Sequence, residues 1–232
     1  MPYLGNTPTE VPLSSADILD SAITSAKIAN GTIALADLSA TGTKDATTFL
    51  RGDNSFATVS SDVVLLASQD VTSAVASVSF DGYFSSTYDN YRIVFYNYTP
   101  ASNAQPRLRL RRSNADVTTS SYSFARGLAR NAGIDTEVNN TDNLINIDSG
   151  NMNNGGSYNL NTIVDLFNPL GTNNFKTGIC HQSGYFDSAN SIYDAGFTGF
   201  TLKDATTAIS GITLYFSTGN ISRCKAKIYG IK

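Results

Sequence analysis

The sequence predicts an all-β chain in which a short, extended, repetitive N-terminal stalk leads into a C-terminal β-sandwich or jelly-roll head. Three observations carry this reading. Residues 16–40 repeat with a period of five, which is neither the 3.6 of a helix nor the 2.0 of a strand. From Asp62 onward, short runs rich in β-branched and aromatic residues alternate with clusters of Gly, Asn, Ser and Asp. Between those runs there is no helical pattern of the kind that separates the strands of a parallel sheet. The divisions fall at residues 1–14, an attachment segment, 15–61, the stalk and linker, and 62–232, the head.

The pentads read ADILD, SAITS, AKIAN, GTIAL and ADLSA. Ile18, Ile23, Ile28, Ile33 and Leu38 supply the large apolar residue of each. Two places earlier stands a small one: Ala16, Ser21, Ala26, Gly31 or Ala36. A fixed period means stacked units that bury a shared apolar column. The pattern resembles that of the pentapeptide repeats, in which the large residue fills the centre of a square coil. Such a coil takes about four pentads per turn, so this segment has too little length to stack on itself. It therefore needs partners, and identical copies wound about one axis are the simplest. An intertwined homotrimer with Ile18, Ile23, Ile28, Ile33 and Leu38 inward, and with Phe49 and Phe56 completing the stalk core, is the expectation.

Next comes Thr48-Phe49-Leu50-Arg51-Gly52-Asp53-Asn54-Ser55-Phe56-Ala57. Gly52 followed by Asp53-Asn54 reads as a turn between two extended pieces, anchored by Phe49 and Phe56. The tripeptide Arg51-Gly52-Asp53 is read as part of that turn and not as a receptor motif. This TFLRGD segment, placed after Ile-rich repeats, resembles bacteriophage tail-fibre and related virion proteins. So does the opening Tyr3-Leu4-Gly5-Asn6-Thr7-Pro8, and so does the final strand ending in Tyr229-Gly230-Ile231. The resemblance covers about the first 60 residues and the last few. It implies a homotrimeric appendage located in the virion and held to other virion proteins through Tyr3, Leu4 and Pro8.

In the head, residues 63–68, 75–80, 91–97, 107–112, 122–126, 144–147, 158–167, 175–182, 195–202, 212–217 and 224–231 read as strands. Arg107-Leu108-Arg109-Leu110-Arg111 alternates cleanly, with leucines in and arginines out. The arginine row has three readings. It is an exposed face that discourages edge association, a set of partners for carboxylates of a neighbouring protomer, or a contact site for anionic host glycans. Residues 139–158 form a polar, glycine-rich stretch that reads as a loop, and its end, Tyr158, suits sugar hydroxyls.

Composition narrows the function classes. The charged fraction is 15% and the net charge −3, which argues against general affinity for nucleic acid. Tyr and Phe number twelve each against no Trp, which suits an aromatic strand-rich core. The N-terminus lacks the features of a signal peptide, and there is no apolar run of about 18 residues, so assembly in the host cytoplasm without membrane insertion is expected. No cofactor is expected. Asp135, Glu137, Asp142 and Asp148 lack a calcium-loop spacing, so no metal is expected. The two cysteines, Cys180 and Cys224, read as buried free thiols, with a bridge between them left open. Cys180 adjoins the single histidine, His181. Neighbours on a strand point to opposite faces, so the two do not make a nucleophile and base. No nucleophile-elbow, Walker or metalloprotease motif is present. The expectation is a non-enzymatic trimeric tail fibre whose head adheres to host surface polysaccharide. The alternatives are a capsid fibre or cement protein that stabilises the shell, and a monomeric lectin-like module.

Overall fold

The computed structural model describes residues 14–130, 133–187, 192–204 and 207–232. The chain divides into two compact units, Met1–Ser60 and Ser61–Lys232.

In the first unit the five-residue period becomes a chain of tight turns. Backbone bonds run from Asp17 N to Ser14 O (3.1 Å), Ala22 N to Leu19 O (3.0 Å), Lys27 N to Thr24 O (2.9 Å), Thr32 N to Ala29 O (3.2 Å) and Asp37 N to Ala34 O (3.0 Å). One turn thus closes every fifth residue. The turns alternate in kind. Three are single 3₁₀ turns, Ser15–Asp17, Ser25–Lys27 and Leu35–Asp37. The two between them place Ser21 (φ 65°) and Gly31 (φ 79°) in the left-handed region, which is the third position of a type II turn. Glycine takes that conformation at no steric cost, and Ser21 takes it against one. Asp17 tightens the first turn by accepting from Ser14 N (2.8 Å) and Ser14 Oγ (2.7 Å). Those bonds hold its carboxyl below the usual range. Asp37 accepts from Ala34 N in the same way (2.7 Å).

Strands β1 (Thr48–Leu50) and β2 (Phe56–Thr58) follow as a hairpin, with Leu50 opposite Phe56. Asn54 N donates to Arg51 O (3.1 Å), Arg51 N to Ser55 O (2.8 Å), and Asn54 sits at φ 60°. This is a type I turn closed by a left-handed residue, a favoured three-residue hairpin loop. The turn read at Gly52-Asp53-Asn54 is therefore present. Gly42 is obligatory beside it. A Cβ there would lie 2.3 Å from Phe56 O, and φ is 91°.

Among the described residues the second unit is built of strands and connecting loops, with no helix. It comprises β3 (Val63–Val71), β4 (Ser77–Asp81), β5 (Asn90–Pro100), β6 (Pro106–Arg112), β7 (Ala115–Asp116), β8 (Tyr122–Arg130), β9 (Gly133–Asp142), β10 (Ile145–Asn146), β11 (Asn159–Phe167), β12 (Lys176–Asp187), β13 (Ile192–Leu202), β14 (Gly211–Phe216) and β15 (Ile221–Ile231). These make two antiparallel sheets. The larger has the order β3-β15-β5-β11-β12-β13-β8-β9; the smaller runs β10-β6-β14-β4, with β7 paired to β6. One apolar core draws on both sheets. Val78, Phe80, Leu108, Leu110, Ile212 and Leu214 come from the smaller, and Tyr91, Ile93, Phe95, Leu160, Val164 and Ile228 from the larger. Three buried tyrosines keep their hydroxyls satisfied. Tyr91 Oη donates to Ser85 O (2.9 Å), Tyr122 Oη to Val117 O (3.1 Å), and Tyr98 Oη shares a bond with Thr162 Oγ1 (2.8 Å).

Every strand read in the head from the sequence is present, several of them longer than expected. Two are additional. For β7 the signal is Ser113-Asn114, both at positive φ, a two-residue hairpin turn. For β9 the apolar pattern misleads. Ile134 and Val138 stand outward, while Asp135 and Glu137 face the arginines of β8. Residues 139–158 are correspondingly not one polar loop: β9 ends at Asp142, and Leu144, Ile145, Ile147 and Met152 belong to the core.

Candidate functional site

Three sets of residues singled out from the sequence can be placed, and each begins from its element. The first is the turn segment. Its aliphatic residues lie between turns, and their own unit leaves them in water: Ile18 is 44% exposed, Ile23 57%, Ile28 38% and Ile33 56%. Leu38 is half-buried. Ile28 and Ile33, one period apart, line the same shallow recess with Ala29 and Gly31. In the hairpin Phe49 is exposed, whereas Phe56 is half-buried beneath the Lys44 ammonium, 5.9 Å from the ring centroid. Tyr3, Leu4 and Pro8 lie outside the described residues.

The second set is the outer face of the smaller sheet. Strand alternation buries Leu108 and Leu110 completely and turns Arg107, Arg109 and Arg111 outward, each half-buried. The three differ in their surroundings. Arg111 reaches two carboxylates of its own chain, Asp81 (2.6 Å) and Asp116 (2.6 Å), and also donates to Thr213 Oγ1 (3.0 Å). Arg109 stacks its guanidinium 4.8 Å from the Tyr215 ring centroid and donates from Nε to Asn143 O (3.0 Å). Arg107 donates from Nη2 to Gln105 Oε1 (3.0 Å). Register places Asn146, Arg107 and Tyr215 side by side on adjacent strands. Burial pushes the Tyr215 phenol up, an effect eased by Arg109 and Arg107.

The third set surrounds Tyr158. Its ring stacks on Tyr185 at 5.6 Å and 27°, and its carbonyl accepts from Thr99 Oγ1 (2.7 Å) and Arg223 Nη2 (2.7 Å). The loop before it bends tightly. A Cβ on Gly155 would lie 2.7 Å from the Tyr158 ring.

Cys180 and Cys224 are both buried free thiols. Burial pushes Cys180 well above the ordinary thiol range and Cys224 up to about 12. They lie on β12 and β15, with β5 and β11 between them. Three strand spacings are about 14 Å, far beyond the reach of a disulfide. His181 is exposed on the opposite face of β12 from Cys180. No group of three or more His, Cys, Asp or Glu among the described residues is arranged to hold a metal ion.

The sequence reading missed Tyr215, Asn146, Asp81 and Asp116 as members of the arginine face. Each lies on another strand, and nothing in their local sequence marks them. Comparison with known proteins finds no matching family model, no similar curated protein and no similar solved structure.

Proposed function

We propose that this chain is a non-enzymatic virion fibre protein that assembles as a homotrimer through its turn segment and adheres to host surface glycans through its β-sandwich head. The carrying observation is the run of aliphatic side chains, one per five-residue turn, that the chain's own fold leaves half in water. Exposed apolar surface of this regularity favours association with like surface. Closed rotational symmetry satisfies it with identical copies. Each Ile removed from water stabilises the assembly by about 1.5–3 kcal/mol at full burial.

Three heads on one stalk turn weak glycan contacts into avid attachment without new contacts. The polar outer face of the smaller sheet and the Tyr158 region are the surfaces suited to sugars. Residues 1–14 would anchor the fibre to the particle, as the resemblance to phage fibres implies.

The test is the solution mass of the whole chain by light scattering, beside its retention on immobilised bacterial surface polysaccharides. A mass three times that of the chain together with retention supports the reading. A monomer removes the stalk, and a trimer that binds no polysaccharide removes the adhesin.

A further inference from the structure

We propose that Arg107 and Arg109 form the head's subsite for an anionic polysaccharide, taking its carboxylate or phosphate group. This names the ligand of the adhesive surface and rests on the adhesion reading.

The argument begins with how the head treats its other arginines. Arg92 pairs with Asp165 (2.7 Å), Arg112 with Asp204 (3.1 Å), Arg126 with Glu137 (2.6 Å), and Arg130 with Asp148 and Asp135. Arg111 holds Asp81 and Asp116. Arg223 has no carboxylate, but its donors are taken up by Thr99 Oγ1, Gly156 O and Tyr158 O. Arg107 and Arg109 stand apart. Among the described residues no carboxylate pairs with either, and each has one neutral hydrogen-bond acceptor. They are two residues apart on one strand face, so their charges repel. A chain of net charge −3 has carboxylates available, yet among the described residues none pairs with these two arginines; Asp116, whose charge reaches Tyr215, is held by Arg111. Asp142, whose charge reaches Tyr215, has its oxygens held by Asn139 Nδ2 (3.1 Å) and Asn143 N (2.6 Å).

A second observation coincides with the first. Arg107 Nε, Tyr215 Oη and Asn146 Oδ1 are buried without a hydrogen-bond partner. Asn146, Arg107 and Tyr215 are the cross-strand row already described. Other buried polar atoms without a partner lie elsewhere in the head, at Arg126, Gln182 and Thr198 among others, but these three share one row beside the two uncompensated cations. Tyr215 and Asn143 also preorganise Arg109: its guanidinium lies over the ring and its Nε donates to Asn143 O, which leaves the two terminal nitrogens for a fork.

The neighbours select a sugar polymer. Ser77 lies opposite Tyr215 and Ser79 opposite Thr213. With Asn146 and Gln105 these are neutral donors and acceptors of the kind hydroxyls use. Two cations among neutral polar groups suit one acidic group per repeat unit, whereas nucleic acid calls for a longer basic track.

The experiment measures binding of the full-length chain to three probes by titration calorimetry: oligogalacturonate, phosphomannan and neutral dextran. The native chain is expected to bind one or both anionic probes and not dextran; which of the two it binds distinguishes carboxylate from phosphate. The Arg107→Gln/Arg109→Gln chain is expected to lose at least about tenfold in affinity. The Lys225→Gln/Lys227→Gln chain removes equal charge from the other sheet and is expected to stay within about twofold. Arg109→Lys, which keeps the charge and loses the fork, is expected to lose about fivefold and serves if the double variant fails to fold. Equal losses in the arginine and lysine variants overturn the subsite, as does an unchanged Arg109→Lys chain. Binding of dextran in preference to both anionic probes overturns the subsite and leaves adhesion standing. Failure to bind any glycan removes both.

Discussion

Arg111 and Asp81 are joined across an intervening strand: Arg111 Nε donates to Asp81 Oδ2 at 2.6 Å, over Gly211, which separates the two in register on β14. A Cβ at that place would run into the backbone carbonyl of Phe80 on β4, so only glycine lets the two strands pair this closely. The same guanidinium reaches Asp116 on β7, so one side chain ties β4, β6, β7 and β14 together. Arg107 and Arg109, on the same face of the same strand, tie nothing of opposite charge.

Arg111→Ala is therefore expected to destabilise the head by about 2–3 kcal/mol, because it leaves two partly buried carboxylates facing each other. Arg107→Ala is expected to cost under about 1 kcal/mol. Urea denaturation of the two variants checks the contrast. Equal costs would mean that the Asp81–Arg111–Asp116 cluster does not brace the sheet.

Tyr98→Phe removes one oxygen and strands another. Thr162 Oγ1 is fully buried and its partner is the Tyr98 hydroxyl. The expected cost is about 1–3 kcal/mol, the penalty of a buried hydroxyl left unpaired. Restoring an apolar match with Thr162→Val in the same chain is expected to recover part of it. Both are read from denaturation midpoints at constant slope.

Stability is expected to fall at alkaline pH. In the folded chain burial raises the Cys224 thiol to about 12 from an ordinary 9.0. Above pH 9 the unfolded chain loses this proton while the folded chain keeps it, so unfolding gains. The stabilisation is complete below pH 9 and drains away as pH rises toward 12. Cys180, Tyr98 and Tyr122 shift in the same direction, also through burial. Thermal melts at intervals between pH 7 and pH 11 should be flat at first and then decline. Cys224→Ala should decline less steeply.

Ile23→Asp and Ile28→Asp place carboxylates on side chains that the single chain leaves 57% and 38% exposed. Folding of the head is expected to be unaffected, while the mass measured by light scattering drops from trimer to monomer. Gly31→Val is expected to weaken assembly through a different cause, because valine at φ 79° is strained. Native mass in all three would remove the aliphatic residues from the interface.

Much of the architecture was legible because it depends on local periodicity. Alternation placed Leu108 and Leu110 inside and the arginines outside. The five-residue spacing marked a repeat, but it was read as an extended stalk and the tight turn in each unit was not foreseen, whereas Gly52-Asp53-Asn54 marked the hairpin. Strand β9 was not legible because its alternation is inverted. Arg126 is buried on β8, and its neighbour strand turns Glu137 toward it at the cost of exposing Val138. A charge buried on one strand thus dictates which face of the next is polar, a rule that no single segment reveals.

The candidate site divides in the same way. The sequence by itself determined that Arg107, Arg109 and Arg111 share a face, because successive strand residues point to opposite sides. It also determined a repeat of one large aliphatic residue per five. Only the tertiary structure decided that Arg111 is spent on Asp81 and Asp116 while Arg107 and Arg109 are not, and that Tyr215 and Asn146 stand beside them. The physical reason is distance along the chain. Asp81, Asn146 and Tyr215 arrive on strands set side by side by the packing of two sheets around one core, and the pairing of charges follows from that arrangement.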